Sequence, residues 1–561
     1  MTDTLHADAA LRALADAEWR WRLAEFPRLA TLAGEHAHDH RLERMGPASL
    51  HARAAHWRAV LAQLDALPAS TLGETAQVEH AVLRHQVQVG LWEIEHGGAW
   101  MPIDGDQSFY SYLGDLWREQ PTATADELER YVGRLAAIPA FFDDHVQLLR
   151  DARRRGLVAP ALVLQGRDAP LRPVAEAADP EATPFYAPLA SRFAAHPALA
   201  AQARRVIERR VQPAYRALLA FLRDEVLPHG RDSTAAHALP GGEAFYATRL
   251  QGFTTRPLTP AQVHEMGLAE VERIGDELRR LQADCGHAGS LADFLAALRA
   301  DPRHYPKSGD ELLAAAAWIA KRVDGQLARF FGRLPRQPFG IEPVPEAFAP
   351  YYTSGRYVPA PVDGEQPALY WVNTHRLESR ALYALPALTL HEAVPGHHLQ
   401  FALTAEDASL APWRRWDATL SAHTEGWALY AEFLGQEMGL YRTPFEQVGR
   451  ASYEMWRACR LVIDTGLHCF GWSRERARGY LRAHTALSEH EIATEVDRYI
   501  GWPGQALSYK VGEIGIRALR ARLERAQGAR FSLRGFHDRL LALGPMPLPA
   551  LDRVMGPAAP A

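Results

Sequence analysis

The stretch that most constrains this chain is His391-Glu-Ala-Val-Pro-Gly-His-His-Leu-Gln400, the densest run of metal-binding and acid–base groups in 561 residues. A His-Glu pair followed within two helical turns by another His can offer two imidazole ligands and, between them, a carboxylate that aligns a water for attack. The spacing departs from H-E-x-x-H. Position i+4 is Pro395, and His397 at i+6 would lie, on a regular helix, about 120° around and about 9 Å along from His391. Two imidazoles so placed cannot share an ion, so the helix must be interrupted. Pro395 lacks an N–H and Gly396 tolerates almost any backbone angle, so the Pro-Gly pair is where a two-residue bulge is absorbed, returning His397 to the i+4 place. His398 regains the face but sits about 10 Å along the axis. His397 is therefore the favoured ligand and His398 its alternative.

By itself this run also fits a histidine cluster at a helix end. A second stretch, His423-Thr-Glu-Gly-Trp-Ala-Leu-Tyr-Ala-Glu432, changes the balance. Glu425 can complete a His2Glu set with an open fourth position, the arrangement of catalytic zinc sites. Glu432 is the alternative ligand, although its place two turns on suits a supporting or surface role better. The expectation is one zinc ion per chain, held by His391, His397 and Glu425, with Glu392 as general base.

The two motifs, H-E-x-x-P-G-H-H and then E-G-W-A-x-Y-x-E, resemble those of a bacterial family known as domain of unknown function 885. The likeness runs from Phe26-Pro-Arg-Leu-Ala-Thr31 through Ala137-Ile-Pro-Ala-Phe141 and Leu239-Pro-Gly-Gly242 to Trp502-Pro-Gly-Gln-Ala506. More distantly, Thr424-Glu-Gly-Trp-Ala-Leu-Tyr430 is similar to the N-E-G-F-A-x-Y segment of zinc aminopeptidases. Pro395-Gly-His397 resembles the G-H of angiotensin-converting-enzyme-like and thimet-oligopeptidase-like enzymes. The resemblance implies a mostly α gluzincin peptidase: a large helical two-lobed body with a deep cleft and a small β-sheet beside the metal-site helix. An enclosed site of that kind would admit short peptides.

Composition excludes other classes. With 47% apolar and 23% charged residues the chain is ordinary globular protein. A net charge of −5 gives no reason to expect nucleic acid or an anionic membrane as partner. The three cysteines, Cys285, Cys459 and Cys469, are an odd count without paired spacing, which argues for a reducing compartment. Met1 to Ala10 carries acids where a signal peptide needs basic residues, and no stretch reaches spanning length, so a cytoplasmic protein is expected.

Helical periodicity dominates residues 8–160, as in Leu11, Ala15 and Trp19 and again in Leu50, Ala54, Trp57 and Leu64. A longer helix is predicted from Asp126 to Arg154, bent at Pro139. Residues 166–190, rich in proline, read as an extended connection, and Arg204, Arg205, Arg209 and Arg210 as a solvent face. Thr259 and Pro260 predict a helix start, and a further helix is predicted from Asp310 to Phe331. Proline becomes frequent from 333, so an N-terminal helical region (1–332) and a catalytic region (333–555) are expected. Tyr351-Tyr352, Tyr357-Val358 and Tyr370-Trp-Val-Asn373 are strand candidates. The last either pairs with substrate, with Asn373 in contact, or merely packs the metal helix.

Beyond Glu425, Arg457, Arg460, Asp464 and His468 fall on one helix face. That face is either a solvated ladder or a cleft wall on which Asp464 orients His468 toward substrate. Tyr499 and Tyr509 flank a Pro-Gly turn, and a tyrosine O–H is a common helper for a developing oxyanion. Tyr509 is the first choice, with Tyr499 and His468 behind it. Arg498 and Lys510 are candidates for binding a peptide carboxylate. The function expected is a zinc-dependent metallopeptidase of short peptides. The alternatives are a zinc hydrolase of non-peptide amides and a non-catalytic helical scaffold with a structural metal.

Overall fold

Helix starts follow the caps that the sequence supplies. In the computed structural model, which describes residues 2–103, 108–346, 349–360, 367–416 and 419–557, Thr124 and Thr259 each accept the backbone N–H three residues on, and Glu127 and Gln262 reach back to the cap N–H. These capping boxes open α1 (Ala125–Arg154) and α2 (Pro260–Asp284), satisfying donors that the first turn leaves free. Pro139 lies inside α1 as expected. The stretch 166–190 is not extended. It coils into short turns, Ala169–Leu171, Arg172–Ala175, Pro180–Ala182 and Ala187–Leu189, each with proline in its first turn, where the missing N–H costs nothing.

Helices make up most of the described chain, and the three strands form one small sheet. Strand β1 (Phe339–Pro343) runs parallel to β3 (Ala368–Val372), and β2 (Gly355–Val358) runs antiparallel on its other side. Tyr357 faces Tyr370 across the β2–β3 pair. The stretch 369–373 is thus the centre of the sheet. Its ladder is used on both sides, so it cannot pair with a substrate, and the free edges belong to β1 and β2. Tyr351 lies in a 3-10 turn (Ala349–Tyr351), not in a strand.

The chain forms two compact units. One comprises chiefly Met1–Ser233 and Ala238–Phe245, the other chiefly Tyr246–Pro359 and Pro367–Ala561. The helices between 246 and 332, grouped with the N-terminal region by the proline boundary, therefore lie in the second unit, where α2 packs along a later long helix. The first unit's core gathers Leu128, Tyr131, Leu135, Ile138 and Phe142 of α1 with Phe185, Phe193, Ile207 and Leu218. Arg204, Arg205, Arg209 and Arg210 are exposed, as their spacing implied.

Within the second unit, α3 (Leu385–Glu392) and α4 (His397–Glu406) carry the first motif and α5 (Ser421–Glu437) the second. They are followed by α6 (Pro444–Cys469), α7 (Glu489–Gly501) and α8 (Ser508–Gln527). Helices α5 and α8 meet backbone to backbone. A Cβ on Gly512 would lie 1.8 Å from the Ala422 carbonyl oxygen, and one on Gly426 would lie 2.5 Å from Gly512.

Candidate metal centre

The helix does break where the spacing requires it. α3 ends at Glu392, Ala393 takes φ −93° and ψ −113°, Gly396 takes φ −75° and ψ −127°, and α4 starts at His397. The His398 N–H bonds to the Ala393 carbonyl at 3.0 Å, spanning five residues where a helix spans four. A Cβ at Gly396 would sit 1.9 Å from the His391 carbonyl oxygen, so no larger residue fits this turn. From α5, the Trp427 indole N–H donates to the Pro395 carbonyl at 2.9 Å and secures the looped-out segment.

This brings three side chains together. One ligand atom from each of His391, His397 and Glu425 lies within 4.8 Å of the others. Glu425 Oε2 is 3.4 Å from His391 Nε2 and 3.3 Å from His397 Nε2. Ligands about 2.0–2.1 Å from a tetrahedral zinc stand roughly 3.3–3.4 Å apart, so the spacing fits such an ion. Glu425 Oε2 is also buried without a hydrogen-bond partner, an orphan that a cation would satisfy. His398 turns away, its Nε2 on the Gln337 carbonyl at 2.9 Å, and burial pulls it down to about 4.

The surroundings favour positive charge. Burial opposes protonation of His391, yet Glu425 and Glu432 outweigh it and push the imidazole up to about 10. His391 Nδ1 donates to Glu432 Oε1 at 2.8 Å, which leaves Nε2 facing Glu425 and His397. Glu432 is buried and also meets the Arg457 guanidinium at 3.2 Å, so it orients the His391 imidazole and stands outside the three-residue cluster.

Glu392, the last residue of α3, accepts the Tyr357 N–H of edge strand β2 at 2.8 Å. Tyr509 lies beside the centre, its ring stacked on that of His391 with centroids 6.2 Å apart. Its hydroxyl oxygen accepts from Arg498 at 3.2 Å and from Gln505 at 3.3 Å, while the Arg460 guanidinium covers the ring.

The other expected substrate contacts are built into the protein. His468 is fully buried, Nδ1 accepting the Ala236 N–H and Nε2 on the Tyr499 carbonyl. Tyr499 receives Trp456 and Arg460 on its hydroxyl. Lys510 is fully buried among Glu454, Glu513 and Glu270, at 2.9, 2.8 and 3.0 Å. The Asn373 amide ties down the carbonyls of Ala349, Tyr352 and Thr353 ahead of β2. Arg498 is held by Glu495 and Gln505 as well as by Tyr509. The Arg457–His468 face is not a solvated ladder, because α6 is buried from Val448 to His468. The sequence reading missed the Trp427 clamp and the Tyr357 amide. Trp427 sits inside the second motif and passes for a core residue, and a backbone amide leaves no trace in residue identity.

A family model described as bacterial protein of unknown function (DUF885) matches residues 27–555. The chain belongs to this family. Among solved structures, the fold resembles a candidate lipoprotein of Colwellia psychrerythraea at 27% identity and a TM-score of 0.88, over 98% of each chain. It also resembles a candidate lipoprotein of unknown function from Shewanella oneidensis at 18% identity and a TM-score of 0.68, over 97% of this chain and 98% of that one. No curated protein matches. Among the described residues of this DUF885 member, no helix is long and apolar enough to cross a membrane.

Proposed function

We propose that this DUF885 protein is a zinc-dependent metallopeptidase that hydrolyses short peptides. The observation that carries the reading is Glu425 Oε2, buried without a hydrogen-bond partner and 3.4 and 3.3 Å from the Nε2 atoms of His391 and His397, the separation of two ligands on a tetrahedral zinc. His391, His397 and Glu425 would hold the ion, which supplies Lewis acidity and lowers the pKa of a water toward neutrality.

The remaining chemistry belongs to the chain. Glu392, one oxygen anchored on the Tyr357 N–H, takes the proton of the attacking water and delivers it to the departing amine. Tyr509, with its oxygen already accepting from Arg498 and Gln505, directs its own proton outward as donor to the developing oxyanion. Glu432 keeps His391 in the tautomer that presents Nε2.

The test is metal analysis of the purified protein beside cleavage of a fluorogenic peptide library, with and without chelator. Glu392→Gln should keep stoichiometric zinc and the fold while lowering turnover about 10²–10⁴-fold. Ordinary turnover in that variant removes Glu392 from the role. A site of the same build serves a zinc hydrolase of non-peptide amides, and the substrate profile separates the two. A structural metal would leave Glu392→Gln silent in every assay. Among the described residues no disulfide joins the three cysteines, which supports a reducing, cytoplasmic location, and cell fractionation tests this against the envelope attachment that the neighbours' descriptions imply.

A further inference from the structure

Arg380 stands out among the buried groups that this chemistry leaves unused. It is 5% exposed. Its Nε donates to the His375 carbonyl at 3.1 Å, and Nη1 donates to Ser354 Oγ at 3.3 Å and lies 3.6 Å from Glu491 Oε1. Nη2 is buried with no partner. The side chain lines a cavity of about 30 Å³ walled by Ser354, Val372, Leu388, Tyr453 and Glu491. That space takes about two water-sized groups. An unsatisfied guanidinium nitrogen beside an unfilled space of this size can take an acceptor oxygen, and the space has room for the second oxygen of a carboxylate.

The cavity belongs to the same seam as the metal centre. A Cβ on Gly355 would touch Leu388 Cδ2 at 3.3 Å, and two residues later the Tyr357 N–H meets Glu392, four residues after Leu388. Four helical residues rise about 6 Å and two strand residues about 6.6 Å, so β2 and α3 run side by side in step. Ser354, which touches Arg380, precedes Tyr357 by three residues, roughly 10 Å along the strand. The distance from Glu392 to Arg380 along β2 is therefore about that of three extended residues. The field there is positive: burial and the charges of Arg376 and Arg380 hold His490 below its usual range, outweighing Glu491.

We propose that Arg380 recognises a carboxylate of the substrate at the end of the β2–α3 seam, supplied by the peptide's C-terminus or by an acidic side chain. The inference rests on the peptidase reading for the identity of the substrate, and its test needs no hydrolysis. Glu491 fixes the guanidinium through Nη1 and Ser354, and the incoming carboxylate bonds to Nη2.

The experiment is titration calorimetry on the chelator-treated protein with two probe pairs. N-acetyl-trialanine as free acid and as amide tests the chain end, and N-acetyl-Ala-Glu-Ala-amide against its Gln counterpart tests the side chain. At least tenfold tighter binding of the carboxylate member is expected in one pair, and the pair concerned identifies the source. Arg380→Gln should abolish that preference and leave the neutral probe unchanged. Glu491→Gln keeps Arg380 and removes the competing negative charge, so it should tighten carboxylate binding severalfold, a gain that a folding defect cannot produce. Equal binding within both pairs, or no binding, in the wild type and in Glu491→Gln overturns the proposal. So does an Arg380→Gln variant that weakens acid and neutral probes alike, which would make Arg380 only a brace for the His375 turn. Zinc content and Glu392→Gln turnover report separately on the peptidase reading.

Discussion

Helices α1 and α6 are of similar length, 30 and 26 residues, and bury opposite kinds of chemistry. The inward stripe of α1 is mainly apolar, Leu128, Tyr131, Leu135, Ile138 and Phe142, and its stabilisation scales with area removed from water. α6 is buried on every side and takes Arg450, Glu454, Arg457, Arg460, Asp464 and His468 inside with it. Burying charge is costly unless each ion is paired. The pairs are present: Arg460 with Glu495, Arg457 with Glu432, Lys510 with Glu454, and Arg273 and Arg450 also on Glu454. One helix holds a unit together, whereas the other holds the His391 and Tyr509 side chains in place through a lattice of ions.

That contrast can be tested from the largest effect to the smallest. Lys510→Met takes the shared cation from Glu454, Glu513 and Glu270 in the interior, a loss that Arg273, Arg450 and Arg517 offset only in part, and should cost about 3–5 kcal/mol in urea unfolding. A value near zero would show that the lattice is not load-sharing. In α1, Leu135→Ala opens an apolar cavity and should cost about 3 kcal/mol, with no dependence on salt or pH. Asp464 gives the second unit a pH signature. Burial pushes its carboxyl up to about 7 despite bonds from Tyr246 and Gly504. A folded-state pKa raised above the unfolded value of 3.8 means stability that is full below about pH 4 and falls as pH rises toward 7. The slope reaches at most about 1.4 kcal/mol per pH unit, and Asp464→Asn should flatten it. At the surface the contrast should vanish: Thr124→Ala and Thr259→Ala each remove one capping box and should cost about 1 kcal/mol in either unit.

The clustering of His391, His397 and Glu425 was legible because the three residues are written in two short stretches, and because Pro395-Gly396 marks where the helix opens between the two histidines. Helix starts at Thr124 and Thr259 were legible for the same reason, since a cap is a local device. His468, Lys510, Tyr499 and Asn373 were misjudged together. Linear spacing shows that polar groups share a face but not what faces them, and in this interior a reactive-looking side chain is answered by a carboxylate or a carbonyl from a distant element. Of the two readings of the aromatic run 369–373, the one in which it packs the helix of the first motif agrees with the Tyr370–Thr389 contact, while β1, with its Phe-Gly-Ile-Glu-Pro sequence, carries a strand signal too weak to show that the run is central.

Where α5 crosses α8, Gly426 follows Glu425 directly and Gly512 lies three residues after Tyr509. Two absent methyl groups thus act as a gauge for the whole centre. An alanine at either position would wedge the helices apart and carry Glu425 away from the two imidazoles with no change to any of the three side chains. Such a variant would lose the His391–His397–Glu425 cluster with every chemical group still present.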